Sequence, residues 1–296
     1  MDQGCFHTLH TVTGARRFST YLACILLVLT VGQAGAYAVG PTTTALGGTQ
    51  VAVPAAGVAF NPAAVARVSA ATFELGAAYP FGTGDVGYMA LYEPKDLAGN
   101  NAALSGLLSV NQNRRVAGGS DGVLISNTVN YQVAEEMPLL GAFGIGIRYI
   151  RAETSLTAKK ASAWRIDVGW QGRIGDWLTL GLVGRDVLGA DLKWSDSSVT
   201  KRVGTLHAGI ALNLGSIVTI AADCRHLNWQ KPGETWNAGI ALRPVKGLVL
   251  RGGYRHAQGV GAATAGAGVR LGNFQLNLAA VFESAPTGSL SIAIEW

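Results

Sequence analysis

The sequence predicts an all-β chain: a transmembrane antiparallel β-barrel of about 14 strands with a small N-terminal helical plug. Three observations predict it. Apolar residues alternate with polar or small ones at a period of two, segment after segment. The links between segments are short and long in turn. Hydrophobic residues make up 49% of the 296 and charged ones only 14%, yet after residue 36 no apolar run reaches the roughly 20 residues of a spanning helix.

The chain divides into three parts. Residues 1–36 read as a secretory signal peptide. Arg16 and Arg17 precede the apolar run Tyr21–Val31, and the small residues Gly32, Ala34, Gly35 and Ala36 follow. Cleavage is expected at Ala34-Gly35-Ala36 or at Ala36-Tyr37-Ala38. The apolar core is too short to serve as a membrane anchor. Arg16-Arg17-Phe18 lacks the rest of a twin-arginine signal, and Cys24 in Leu22-Ala23-Cys24 stands before most of the apolar core, the wrong order for a lipoprotein. Removal of Cys5 and Cys24 leaves Cys224 alone, which permits an oxidising compartment without requiring one.

Residues 37–70 form the expected hatch. They are rich in Ala, Gly, Thr and Pro and do not alternate. Asn61, Pro62 and Ala63 make a helix start: the Asn side chain caps free amides, and Pro occupies the first turn, where no N–H is missed. A short helix ahead of a wide barrel fits inside it as a plug.

Residues 71–296 are the expected barrel. Trp164, Ile166, Val168 and Trp170 share one face, opposite Arg165, Asp167, Gly169 and Gln171. Leu206 to Asn213, Val218 to Asp223, Trp236 to Arg243, Leu248 to Arg255 and Phe274 to Phe282 repeat the rhythm. Ala71–Pro80, Gly84–Tyr92, Ala103–Gln112, Leu124–Ala134 and Leu140–Arg151 are earlier candidates. Ala103–Gln112 carries the weakest pattern, which leaves about 12 strands as the alternative count. The short links Ile174–Asp176, Leu214–Ser216, Pro244–Lys246 and Gly272-Asn273 fall on one side, and Ala190–Lys201 is long on the other. Both termini are then periplasmic and the strand number is even. The final segment Leu290–Trp296 alternates up to a terminal aromatic, and Trp296 is the expected insertion signal. Trp164, Trp170, Trp177, Trp229, Trp236 and Trp296 stand near strand ends, as an interfacial girdle requires.

Parity points Glu74, Arg148, Arg165, Asp167, Arg185, Asp223, Arg225, Arg251, Arg255, Arg270 and Glu295 toward the lumen. Two readings follow: a basic lumen that guides anionic solutes, or ion pairs that hold hatch to wall. The lysines and arginines behind the net charge of +5 form no block and most sit singly, so no nucleic-acid partner is expected. No catalytic, cofactor or metal signature emerges. His207, His226 and His256 lack metal-ligand spacing. His256 and Ser289, the one imaginable nucleophile pair, fall on opposite faces by parity, and Cys224 falls on the apolar face. Gly266-Ala267-Gly268 precedes no helix, so it is not a dinucleotide loop.

Ala59-Phe60-Asn61-Pro62-Ala63 resembles the N-terminal Asn-Pro-Ala signature of the FadL-like outer-membrane family, especially its small PorV/PorQ-type branch. Ile166–Trp170, Leu180–Asp186, Leu250–Tyr254 and Ala265–Arg270 are similar to that family's strand patterns, and the resemblance spans most of residues 55–296. It implies a roughly fourteen-stranded outer-membrane barrel with an N-terminal hatch. FadL-type members pass hydrophobic molecules, with lateral exit between strands; PorV/PorQ-type members serve protein secretion and surface attachment. The partners implied are outer-membrane lipid, the barrel-insertion machinery, and either a hydrophobic ligand or secretion-system proteins. The chain lacks the long outer loops of the fatty-acid transporters.

Overall fold

The computed structural model describes residues 40–53, 60–80, 84–94, 99, 101–115, 121–154, 158–201, 204–225, 227, 235–257, 260–283 and 286–296. The expected signal peptide and its cleavage sites, His226 and Trp229 lie outside the described residues. The chain opens with α1 (Pro41–Ala45) and a 3₁₀ helix (Pro62–Arg67). Seven strands follow: β1 (Thr72–Pro80), β2 (Gly84–Glu93), β3 (Asn101–Arg115), β4 (Asp121–Met137), β5 (Gly141–Thr154), β6 (Lys160–Ile174) and β7 (Leu178–Arg185). A small hairpin, β8 (Leu192–Trp194) and β9 (Val199–Thr200), interrupts them. The remaining strands are β10 (Thr205–Leu214), β11 (Val218–Arg225), β12 (Thr235–Val245), β13 (Leu248–Ala257), β14 (Val260–Leu271), β15 (Phe274–Phe282) and β16 (Thr287–Glu295).

Without the hairpin these strands form a closed antiparallel barrel of 14 strands. The seam joins first to last: β1 pairs with β2 through Thr72↔Tyr92 and with β16 through Thr72↔Glu295. Closure leaves no unpaired edge, the condition for a sheet surrounded by lipid. The count of 14 is the one expected. Ala103–Gln112 is part of the long β3, so the alternative of about 12 is set aside.

The two-residue rhythm sorts the side chains from β5 onward. On β5, Ala142, Ile150 and Ala152 are buried, while Phe143, Ile145 and Ile147 are exposed. Exposed apolar rows continue through Val168, Leu182, Ile210, Ile240, Leu278 and Ile292. Such an outer surface suits acyl chains and would aggregate in water. On β2 and β3 the contrast vanishes: Met89, Leu91 and Leu104 are as buried as Ala90 and Ala103.

The two rims differ. Tight turns gather at the rim that carries the C-terminus, here called proximal. Gly215 and Gly272 take φ of +61° and +60° there, a region that costs glycine little and β-carbon residues more. At the distal rim β3 to β6, of 14 to 17 residues, stand taller than β7 and β11, of 8 residues each. The link Ala190–Lys201 was expected as plain loop. It holds the β8–β9 hairpin, which extends the sheet by pairing with the projecting end of β6 through Ala161↔Trp194. Leu192 seals the inner side over Ala152, Ala161 and Ala163.

Candidate functional site

The bore of the barrel is occupied by the hatch, and glycines on the wall make room for it. Three cross-strand glycine pairs do this: Gly144↔Gly169, Gly181↔Gly209 and Gly239↔Gly253. A β-carbon on Gly144 would stand 2.3 Å from the Pro62 backbone, on Gly181 2.3 Å from Val51 O, and on Gly239 2.4 Å from Leu46 O. Real β-carbons do not approach backbone so closely, so the hatch main chain lies directly on the strands.

Polar side chains then fix it. Asp223 Oδ2 accepts from Gln50 N at 2.5 Å and Val51 N at 3.1 Å. Thr264 Oγ1 donates to Ala45 O and accepts from Gly47 N, each at 3.0 Å, which holds the C-terminal end of α1. Arg225 Nη2 donates to Gly48 O. Asn61 is fully buried and caps the 3₁₀ helix by accepting from Ala63 N at 3.0 Å. Its Nδ2 donates to Val51 O at 2.7 Å and to Trp170 O at 3.1 Å. Gln171 Nε2 adds a bond to Val51 O at 3.0 Å. A buried backbone carbonyl left without partners would cost free energy, so these side chains do for the hatch what a ladder does for a strand.

On β5, β6 and β7 lies an ion-pair cluster. Arg148 Nη2 sits 2.9 Å from Asp167 Oδ1 and 2.6 Å from Asp186 Oδ1. Arg165 Nη1 reaches Asp186 Oδ2 at 2.8 Å, and Arg185 Nη2 reaches Asp167 Oδ2 at 3.3 Å. Asp186 has φ of +55°, and its amide donates to Asp167 Oδ1 at 2.8 Å. The Arg185 and Arg225 guanidinium carbons stand 4.6 and 4.9 Å from the centroid of the Phe60 ring. The edge of the buried His207 meets that ring at 5.0 Å. A cation over an aromatic face is attracted by its quadrupole, so Phe60 links the hatch to this cluster.

The structure thus brings Arg148, Arg165, Asp167 and Arg185 together, and Asp223 with Arg225, whose Nη2 lies 4.0 Å from Asp223 Oδ2. The other anticipated charges stand apart. Glu74 is buried and accepts from Tyr88 Oη at 2.6 Å. Arg255 pairs with Glu283, and Arg270 with Glu295 at the proximal rim. Arg251 alone of these arginines has no carboxylate oxygen within 4.0 Å among the described residues; its Nη1 donates to Asn277 Oδ1 at 3.4 Å. His256 stacks on Trp236 with ring centroids 5.7 Å apart, on the outer face, while the Ser289 hydroxyl is buried. Cys224 is a half-buried free thiol opposite Trp236. Trp296 is exposed at the proximal rim, its amide bonded to Ala71 O at 3.0 Å.

Sequence reasoning missed Asp186, Gln171, Thr264, Phe60 and α1. Asp186 follows the last residue of β7, so strand parity says nothing about it. Gln171 and Thr264 look like ordinary inward polar residues until the path of the hatch is known.

No family model matches the chain, and no curated protein matches its sequence. Solved structures do. The toluene transporter TodX of Pseudomonas putida superposes with a TM-score of 0.64 at 14% identity, over 88% of this chain and 98% of that one. The toluene transporter TbuX of Ralstonia pickettii gives 0.60 at 14% identity, over 87% and 97%. A FadL homologue of Pseudomonas aeruginosa gives 0.61 at 11% identity, over 90% and 99%. The likeness is one of fold. It runs through nearly the whole length of each of these chains, and none of the three is described as a PorV/PorQ-type protein.

Proposed function

We propose that the protein is an outer-membrane passage for hydrophobic or small solutes, exported by a cleaved signal peptide and inserted through recognition of its Trp296-terminated last strand. The observation that carries this reading is a closed wall with lipid-compatible outer rows, folded around an N-terminal hatch, in the fold of toluene transporters and a FadL homologue. A solute entering at the distal rim meets the hatch, and exit follows from its displacement or from a gap between strands. The inward charges divide the work: the ion pairs among Arg148, Arg165, Asp167, Arg185 and Asp186 brace the wall itself, while Asp223 and Arg225 bind the hatch backbone at Gln50, Val51 and Gly48. No observation favours the secretion or surface-assembly role.

The test is uptake. The full chain, produced in the outer membrane of a host without hydrocarbon uptake proteins, should raise the initial rate of labelled toluene or oleate entry above that of cells with the empty vector, and should leave lactose entry unchanged. Equal hydrophobic uptake with and without the protein, at confirmed surface levels, overturns the proposal.

A further inference from the structure

We infer that the outer face of β5, β6 and β8 at the distal rim binds the phosphorylated headgroup of an anionic lipid in the outer leaflet. The inference rests on the reading of the chain as an outer-membrane barrel, with the distal rim outside.

Successive rows of outward side chains, read up this sector, change character in the order that a membrane surface does. The first row is apolar: Tyr131↔Ile147↔Ile166. The next is aromatic: Tyr149 and Trp164 are register partners with ring centroids 4.8 Å apart, and Trp164 is 62% exposed. Aromatic rings of this kind settle at the level of the headgroups. The row above is basic. Arg151 pairs with Ser162, and Ser162 with Lys193, all three exposed. One step higher Lys160 is exposed, with Glu153 Oε1 3.9 Å from its Nζ. A step of two residues along a strand is about 6.6 Å, so the basic row lies where lipid phosphates begin above the aromatic level.

The middle of that row is small. Ser162 separates Arg151 from Lys193 by one strand on each side, a gap of about 10 Å between the outer two at the usual strand spacing. A phosphate group fits above the serine, with a guanidinium on one flank and an ammonium on the other. Guanidinium favours a paired approach to phosphate oxygens, and ammonium acts as a point charge. Arg151 and Lys193 form no ion pair with a carboxylate of the described residues. The sector owes its form to the excess height of β5 and β6 and to the hairpin that places Lys193 beside them. A plain loop would not hold that lysine in register. An acyl chain below the phosphate would run down Trp164 and Ile166, which ties the occupant to a lipid rather than a soluble phosphate.

The test compares lipid adducts on the purified full-length protein by native mass spectrometry. Bisphosphorylated lipid A is the probe, its dephosphorylated form and inorganic phosphate the controls. The wild type should retain the bisphosphorylated lipid at least about tenfold better than the dephosphorylated one, given the contribution of each surface cation to anionic-lipid binding. The double variant Arg151→Gln with Lys193→Gln should lose most of that preference, while Lys246→Gln at the proximal rim keeps it. Equal retention of both lipids, an unchanged double variant, or competition by inorganic phosphate at equal concentration would overturn the inference. Each protein is first checked for the heat-modifiable gel mobility of a folded barrel. Absence of that mobility in the wild type counts against the outer-membrane reading itself; its presence without lipid preference counts only against the headgroup site.

Discussion

Gly239 and Gly253 face each other across β12 and β13, and the segment Leu46-Gly47 of the hatch lies on both of them. A side chain at either position has no space: a Gly253 β-carbon would come within 2.3 Å of Gly47 N. Gly253→Leu should therefore unseat the hatch. Overpacking of this kind costs about 1–3 kcal/mol when the surroundings can shift, and here the hatch can shift where the barrel wall cannot. The expected outcome is a several-fold rise in single-channel conductance in planar bilayers, with the folded-barrel mobility retained. A variant that folds and conducts like the wild type would show that the hatch does not obstruct the bore.

Asn61 gives a second handle, because one side chain caps the 3₁₀ helix and ties it to Val51 O and Trp170 O. Asn61→Ala removes a cap worth about 1 kcal/mol and leaves a buried carbonyl with fewer partners, a further loss of about 1–3 kcal/mol. Limited trypsin digestion at Arg67 should accelerate while the wall stays resistant. Asn61→Asp, which keeps the cap acceptor but sets a buried carboxylate oxygen against the Val51 and Trp170 carbonyl oxygens, should be digested at least as fast as Asn61→Ala. Identical digestion of Asn61→Ala and wild type would count against a tethering role.

Asp186 serves two arginines at once, Arg148 at 2.6 Å and Arg165 at 2.8 Å. Removal of one member of a buried charged group costs about 3–5 kcal/mol because the partners stay desolvated. Asp186→Asn isolates the charge, since Asn tolerates the left-handed backbone found there. Its urea midpoint in lipid vesicles should drop clearly, and adding Arg165→Met should recover part of the loss. Additive losses in the double variant would mean that the two residues do not act together.

The β8–β9 hairpin carries the one pH prediction. The Lys159 ammonium, 2.5 Å from Asp196 Oδ2, and the Ser198 hydroxyl and amide, 2.6 and 3.1 Å from Oδ1, hold the Asp196 carboxyl well below the usual carboxylate range. A depressed folded-state value means that the stabilisation is complete above the ordinary aspartate value, about 3.9, and is lost only as pH falls through the lower folded-state value. The Trp194 indole, bonded to Thr200 at 2.8 Å, reports on the hairpin. Its fluorescence should stay constant from pH 7 to about 4 and change only in stronger acid, and Asp196→Asn should abolish that late transition. A transition near pH 4 or above would contradict the arrangement.

The wall was legible in the sequence because lipid and bore impose opposite demands on alternate residues. Trp164 to Gln171 states both demands in eight letters. Ala103–Gln112 reads poorly because β3 carries small or buried residues on both faces, such as Ala102, Ala103 and Ser105. The hatch was legible only at Asn61-Pro62, where capping is local. α1, five residues long, has no amphipathic repeat to read, and Gly144, Gly181 or Gly239 cannot be told from any small inward residue until something lies on them. The same holds for the charges. Parity pointed Arg148 and Arg165 inward, but their shared partner Asp186 sits past the end of a strand, where parity stops.

The seam between β1 and β16 has a consequence for assembly. The two strands are made at opposite ends of synthesis, and the segment enclosed by them is made before either. Until the last strand arrives, the curved sheet is open on one side, and the glycine floor from β5 to β14 is an accessible bed on which the leading segment can settle. Zipping Thr72 to Glu295 then converts a docked tail into an enclosed one. A segment enclosed by a closed wall has to be seated before that pair forms, so the cargo precedes the latch whichever strand is engaged first.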